Sequence, residues 1–373
     1  MPDGWVILDK PLGLGSTQAV AAVKRNLREA GYGKKVKVGH GGTLDPLASG
    51  VLPIAIGEAT KLAGRMLDAS KTYAFTVRFG EETDTLDAEG TVIATSEHLP
   101  TLEDIAAVLP RFTGAIEQVP PAYSALKVDG QRAYDLARAG ETVELKTRAV
   151  TVHALTVRHP REGGDLDVDP SDPAALDSRV RGNDEGGDKN LPGTGRGTTR
   201  SVVEGHAPDA PPSPHAPNTP PVPLHQPSAG PPPPVGEVSL LANVSKGTYI
   251  RSLARDIAHA LGTCGTVTML RRLKAGPFDL SRAISLDKLN ETGKGAPLEH
   301  ILLPLEAGLD DIPALDLDPE QAGAVRQGRV LTGLPLKDGL YWARFGTVPV
   351  ALVEVSGGDA RVSRGFNLAD VAE

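Results

Sequence analysis

The segment GHGGTLDPLASGVLP, residues 39–53, carries one carboxylate, Asp45, among glycines, prolines and small residues, with His40 five positions before it. A carboxylate and an imidazole in one loop are groups able to act as nucleophile, base or charge stabiliser. Asp-Pro and Gly-Gly are also ordinary turn punctuation. The window alone leaves both readings open.

The rest of the chain narrows the chemistry. There is one cysteine in 373 residues, Cys264, which excludes a disulfide framework and a cysteine-built zinc site. Cys264 has no activating motif beside it and is expected to be a small buried residue. His206, His215 and His225 lie in a proline-rich tract without regular spacing, so no metal site is expected there. No Gly-rich string fits a phosphate cradle or a dinucleotide fingerprint. The expectation is a soluble protein without metal or cofactor. The segment MPDGWVILDKP lacks a basic stretch followed by an apolar run, and no apolar run approaches a membrane span of roughly 20 residues. A cytoplasmic protein is expected.

The net charge of −8 first argues against a nucleic-acid partner. Its distribution reverses that. Residues 160–236 hold 6 basic and 11 acidic side chains, a net of −5. Residues 1–40 hold 7 basic and 3 acidic, and residues 246–274 hold 6 basic and 1 acidic. Two basic segments on an acidic chain suit a local anionic ligand.

Several elements must position these residues. GWVILDKP reads as a strand, and Ser16 as the N-cap of a helix carrying Ala19, Val20, Val23, Leu27 and Ala30. VLPIAIG and KTYAFTVRFG read as strands, and TDTLDAEG as a turn into TVIAT. LEDIAAVLPRF is helical, VPPAYSALKVDGQRAYDLARAG is a Pro-anchored loop into a helix, and TVELKTRAVTVHALTVRH is strand-like. From Pro160 to Pro234 the chain holds 17 of its 32 prolines and no Phe, Tyr or Trp. Such a tract cannot bury enough apolar area to offset its ordering entropy, so residues 160–235 are expected to be a disordered acidic insertion. Order resumes with VGEVSLLANVSKGTYIRSLARDIAHALG, a strand into a helix, then TVTMLRRLKAGPF and SLDKLNE. Residues 309–373 add one short helix and several short strands. The pattern predicts an α+β protein: a catalytic domain formed by 1–159 and 236–305, and a small β-rich module at 309–373.

DKPLGLGST (9–17), GHGGTLDPLASGVLPIAIGEATK (39–61), KTYAFTVRFGEETDTLDAEG (71–90) and SKGTYIRSLARDIA (245–258), with PPAYSALKVDGQRAYDLAR and LRRLKAGPF, strongly resemble the TruB family of bacterial tRNA pseudouridine-55 synthases. The match runs in order through nearly all of 1–159 and 236 to about 305. The resemblance implies the pseudouridine synthase fold, with a mixed, mainly antiparallel central sheet flanked by helices and loops and a C-terminal PUA-like RNA-binding module. It implies isomerisation of the T-loop uridine of tRNA: the N-glycosidic bond breaks and the base is rejoined through C5. It also implies the tRNA T-arm as partner and a monomer without an obligate protein partner. One ionised carboxylate suffices because uracil is both leaving group and acceptor, whereas a glycosidase needs two.

By the same resemblance Asp45 falls on the catalytic aspartate. Substrate-binding positions are His40, Tyr73 (stacking on the flipped base), Tyr249, Leu270 and Arg251, the last paired with the aspartate. Lys10 falls in a motif with a structural or backbone-contacting role. Residues 121–148 match an RNA-gripping insertion, with Lys127, Arg132 and Arg138 as phosphate contacts.

Overall fold

The computed structural model describes residues 2–33, 35–124, 126–128, 131–139, 145–158 and 234–368. Strands β1 (Gly4–Lys10), β2 (Val38–His40), β3 (Ala48–Ile56), β4 (Lys71–Phe79), β5 (Glu81–Thr83), β6 (Val92–Thr95) and β7 (Gly114–Gln118) come first. A short hairpin follows, β8 (Lys127–Val128) with β9 (Gln131–Arg132), and then β10 (Arg148–Val157), β11 (Glu237–Val244), β12 (Gly265–Ala275) and β13 (Phe278–Asp279). Nine of these make one sheet in the order β1-β3-β12-β4-β11-β10-β7, with β2 on β3 and β13 on β12. Every pairing is antiparallel except β3 with β12. The expected α+β class and mixed, mainly antiparallel sheet are what the chain forms.

Local sequence explains the elements. EVSLLANV alternates along β11, burying Val238, Leu240, Ala242 and Val244 and turning the residues between them outward. Helix α1 (Ser16–Glu29) buries Ala19, Ala22, Val23 and Leu27 at helical spacing. Helices α2 (Ala63–Asp68), α3 (Leu102–Val108) and α4 (Ala133–Arg138) are short. Helix α5 (Ile250–Ala260) packs Leu253, Ala254 and Ile257 on Phe75, Val77 and Leu240 of the sheet. A Cβ at Gly265 would stand 2.6 Å from that of Ala258, so glycine permits this close helix–strand approach. Each large apolar side chain buried here contributes roughly 1.5–3 kcal/mol, and together they fix the end of α5 that carries Arg251. Helix α6 (Leu286–Gly293) lies against α1.

Residues 309–373 hold β14 (Ala314–Asp316), helix α7 (Pro319–Arg326), β15 (Gly339–Phe345), β16 (Val348–Ser356) and β17 (Asp359–Gly365) in a separate four-stranded sheet. It has its own core around Leu317, Val325, Val353 and Val355. Leu352 and Phe366 join a second cluster with Trp5, Phe278 and Leu305, which seats the module on the catalytic body.

The expected disordered insertion, residues 160–235, lies outside the described residues except for Pro234 and Val235. Its two flanks are tied down: Arg158 N donates to Ser239 O at 2.8 Å and Val235 N to Pro100 O at 2.9 Å. Because β10 and β11 are antiparallel neighbours, the segment leaves and returns at adjacent strands. Chain closure then costs entropy that grows only logarithmically with length.

Two expectations need correction. Ser16 is not the N-cap; Gly15 is, and its N–H donates to Gln18 Oε1 while the Ser16 hydroxyl is engaged across the fold by Leu44. Cys264 is only half-buried, because it stands in the turn between α5 and β12. Strands β2 and β7 are not legible in the sequence, the one being three residues long and the other, GAIEQ, holding a single apolar side chain larger than alanine.

Candidate active site

Arg251 occupies the first turn of α5, and its guanidinium makes four hydrogen bonds to three other chain segments. Nη2 donates to Asp45 Oδ2 at 2.8 Å and to the carbonyl of Tyr123 at 3.0 Å. Nη1 donates to Asp87 Oδ2 at 3.0 Å and to the carbonyl of Thr85 at 2.8 Å. The planar fork is thereby filled from two sides, a geometry that an ammonium cannot reproduce. The side chain of Arg251 is 8% exposed and that of Asp87 11%, whereas that of Asp45 is 46% exposed. Asp45 and Arg251, 206 positions apart, are brought into direct contact.

Asp87 belongs to the 71–90 string but had been read as part of a turn. The loop around it is tightly built. Asp87 Oδ1 accepts from Thr85 Oγ1 at 2.6 Å and from Glu89 N at 3.1 Å. Leu86 stands at φ 62°, the sole non-glycine residue with positive φ among the described residues, and is buried. That left-handed conformation costs about 1–2 kcal/mol, held by bonds from Leu86 N to Thr83 O and from Val267 N to Leu86 O. A Cβ at Gly90 would fall 2.3 Å from Thr85 Oγ1. Nothing in the spacing of TDTLDAEG distinguishes such a clamp from a solvent turn.

Asp45 itself sits in the connection between β2 and β3. The other expected residues surround this connection. His40 ends β2; its Nδ1 accepts from Gly42 N at 3.4 Å, and burial, reinforced by the charge of Arg272, pushes its pKa below the ordinary histidine value. Lys10 is buried at the end of β1. Its Nζ donates to the carbonyls of Leu14 at 2.6 Å, Pro11 at 3.1 Å and Pro46 at 3.3 Å, the backbone contacts expected of it. Burial brings its pKa down to about 8, opposed by the negative charge of Asp45.

Tyr73 on β4 pairs in register with Arg272 of β12, and Leu270 with Phe75 and Ala48. Both Tyr73 and Leu270 are partly buried and touch two core clusters at once, so they stand where the halves of the core meet. Tyr249 precedes α5 and is gripped through its backbone by Gln118 of β7: its N–H donates to Oε1 at 2.8 Å and its carbonyl accepts from Nε2 at 3.1 Å. Burial raises the pKa of its hydroxyl. The structure thus gathers Asp45, Arg251 and Tyr249 around one junction, with His40 and Lys10 flanking the Asp45 loop. Gln118 and Asp87 had not been anticipated. The side chains of Lys127, Arg132 and Arg138 lie outside the described residues. Among the described residues no group of three His, Cys, Asp or Glu side chains is placed to hold a metal ion, and no helix is long and apolar enough to cross a membrane.

One carboxylate open to solvent thus sits on a buried arginine, and comparison with known proteins places the whole chain. The N-terminal domain described as TruB family pseudouridylate synthase matches residues 28–169, and the tRNA pseudouridylate synthase B C-terminal domain matches residues 251–310. The chain is 62% identical over 373 residues to tRNA pseudouridine synthase B of Novosphingobium aromaticivorans, covering 100% of both chains. This chain belongs to the TruB family.

A second relative, tRNA pseudouridine synthase B of Zymomonas mobilis, is 48% identical over 98% of this chain and 96% of its own. Among solved structures, an H/ACA RNP bound to a substrate RNA containing 2′-deoxyuridine aligns with a TM-score of 0.59 at 21% identity, over 98% of this chain and 85% of that one. A Cbf5-Nop10-Gar1 complex aligns with a TM-score of 0.58 at 22% identity over the same shares. At those identities the likeness is one of fold. As a TruB-family member the chain is a pseudouridine synthase, an isomerase acting on RNA.

Proposed function

We propose that this chain isomerises the T-loop uridine of tRNA, position 55, with Asp45 as its catalytic carboxylate. The observation that carries the reading is the contrast at Arg251: one carboxylate is buried and fully engaged, and the other is nearly half exposed. The reaction is balanced within the substrate. The N1–C1′ bond breaks, the uracil turns over, a C5–C1′ bond forms, and the proton lost from C5 is offset by one gained at N1. Breaking the glycosidic bond builds positive character on the sugar, which an ionised aspartate can capture or stabilise.

Arg251 holds that carboxylate by a charge-assisted bond, fixing one oxygen and leaving Oδ1 free of any partner among the described contacts. Tyr73 offers an aromatic face to the base, and Leu270 beside it an apolar wall. His40, whose pKa is lowered by burial and by the charge of Arg272, offers a ring nitrogen for hydrogen bonding. The partner is the T-arm of tRNA, taken up by a monomer in the cytoplasm, and the β-rich module at 309–373 is a PUA-like extension of the RNA-binding surface. Incubation with an unmodified tRNA transcript followed by chemical mapping tests the reading. A single new pseudouridine at position 55 is expected. An unmodified transcript, or modification only elsewhere, would contradict it.

A further inference from the structure

The connection that carries Asp45 is short and poor in side chains, yet it is not loose. The carbonyl of Gly42 accepts from Arg272 Nη2 at 3.2 Å and that of Thr43 from Arg272 Nη1 at 3.3 Å. Leu44 is held at both ends of its residue, its N–H donating to Ser16 Oγ at 2.8 Å and its carbonyl accepting from the same hydroxyl at 2.9 Å. The carbonyl of Asp45 accepts from Ala48 N at 3.0 Å, and that of Pro46 from Gly13 N at 2.8 Å and from Lys10. Every carbonyl from Gly42 to Pro46 is therefore taken by a named donor.

Arg272 is the anomaly in this set. It lies on the central strand β12, 1% exposed, and forms no ion pair with a carboxylate among the described residues. Among the described residues its three hydrogen bonds all go to backbone carbonyls; the third runs from Nε to Val51 O at 2.7 Å, on the strand that leaves the loop. A buried cation without a counter-charge is expensive, and a well-packed apolar side chain of similar volume would be the more stable choice. What the guanidinium supplies and an apolar side chain cannot is a fixed fork that grips the loop before Asp45 and the strand after it. Gly50, at φ 101°, makes room: a Cβ there would come 2.2 Å from Arg272 O.

We infer that Arg272, with Ser16 on α1, is a positioning residue for the isomerisation. It clamps the peptides at 42, 43 and 51 while Ser16 clamps 44, so that the direction of the Asp45 carboxylate is set by the backbone as well as by Arg251. This rests on the role of Asp45 proposed above. Neither side chain bonds to the Asp45 carboxylate, and neither needs to touch RNA.

The test separates placement from binding. Arg272→Lys keeps the charge and loses the fork; Ser16→Ala removes both bonds to Leu44 without burying anything new. Single-turnover rate and tRNA dissociation constant are measured for each, with thermal melting to verify folding. Displacement of a reacting group by about 1 Å costs on the order of a hundredfold in rate. Arg272→Lys is expected to lose about that much and Ser16→Ala about a tenth of it, each with tRNA affinity within threefold of wild type. A folded Arg272→Lys enzyme with wild-type rate would overturn the inference. So would a loss of rate matched by an equal loss of affinity, which would make these residues part of RNA binding. If Arg272→Lys does not fold, Ser16→Ala decides alone, and a wild-type rate in it has the same consequence. Wild-type enzyme that makes no pseudouridine would instead refute the proposed function, which keeps the two failures apart.

Discussion

Two carboxylates meet one guanidinium, and they live in different surroundings. Asp87 comes from a strained, self-bonded loop, its side chain is 11% exposed, and its oxygens also accept from Thr85 and Glu89. Asp45 comes from a loop of small residues, is 46% exposed, and has Arg251 as its hydrogen-bond partner. Burial with full satisfaction makes Asp87 an anchor. Exposure with one fixed oxygen is what the catalytic role proposed for Asp45 requires. Residue type alone does not separate a structural acid from a reactive one; environment does.

The comparison can be broken or sharpened at several points. Arg251→Lys serves both acids at once and should have the largest effect. An ammonium cannot bond both carboxylates and two carbonyls in one plane, so turnover should fall by about a hundredfold or more, with tRNA affinity retained. Steady-state kinetics beside a filter-binding titration would show it; equal rates for the two enzymes would remove the fork from the account.

Asp87→Ala should chiefly damage the fold. Removing one partner of a buried pair costs roughly 3–5 kcal/mol, and the bond to Asp45 that remains argues for about 3. On a scale of about 2–4 °C per kcal/mol, melting should drop by some 6–12 °C. A melting temperature equal to wild type would show that the anchor lies elsewhere.

A smaller effect concerns two buried lysines that form no ion pair among the described residues. Lys10 and Lys71 are buried, bond only to carbonyls, and have pKa values brought down to about 8. Between about pH 8 and the unfolded value of 10.5 the unfolded chain therefore binds more protons than the folded one. Stability from these groups should rise with pH across that window. Denaturant titrations at pH 8 and 9.5 should show a shallower rise for Lys10→Met than for wild type. An identical slope would mean that Lys10 is not destabilised by its burial.

The smallest effect is expected from deleting residues 161–232 behind a short Gly-Ser bridge. The flanks are fixed by Arg158–Ser239 and Val235–Pro100 bonds, so melting temperature and turnover should stay near wild type. Loss of five net negative charges should tighten tRNA binding slightly at low salt and less at high salt. A large loss of turnover would assign the segment a role beyond spacing.

Much of this molecule was legible in its sequence, for physical reasons that differ by element. The alternation in KTYAFTVRF and EVSLLANV is a direct image of a sheet with one face in a core, and the helical spacing in STQAVAAVKRNLRE is that of a helix seated on it. Asp45, His40, Tyr73 and Arg251 are singled out only by the long, unusual strings that carry the family resemblance, and the structure joins the first of them to the last. Asp87 is not singled out, because a turn acid that reaches back to a buried arginine has the same local sequence as one in water. Arg272 is hidden in LRRLK, because nothing in two adjacent arginines says which of them turns into the core. One of them, Arg271, does pair with partly exposed Asp9, while its neighbour is buried on the other face. Ser16 has the composition of a helix cap, and only the fold shows it serving Leu44.

The central claim is that the exposed acid reacts and the buried one holds. Asp45→Ala and Asp87→Ala should be measured side by side, each for pseudouridine formed in a tRNA transcript, tRNA affinity and melting temperature. The account predicts no detectable pseudouridine from Asp45→Ala at near-wild-type affinity and a melting temperature within about 3 °C, a change of roughly 1 kcal/mol. Asp87→Ala should show the large drop in melting temperature. Detectable turnover by folded Asp45→Ala would contradict the account, whatever Asp87→Ala does.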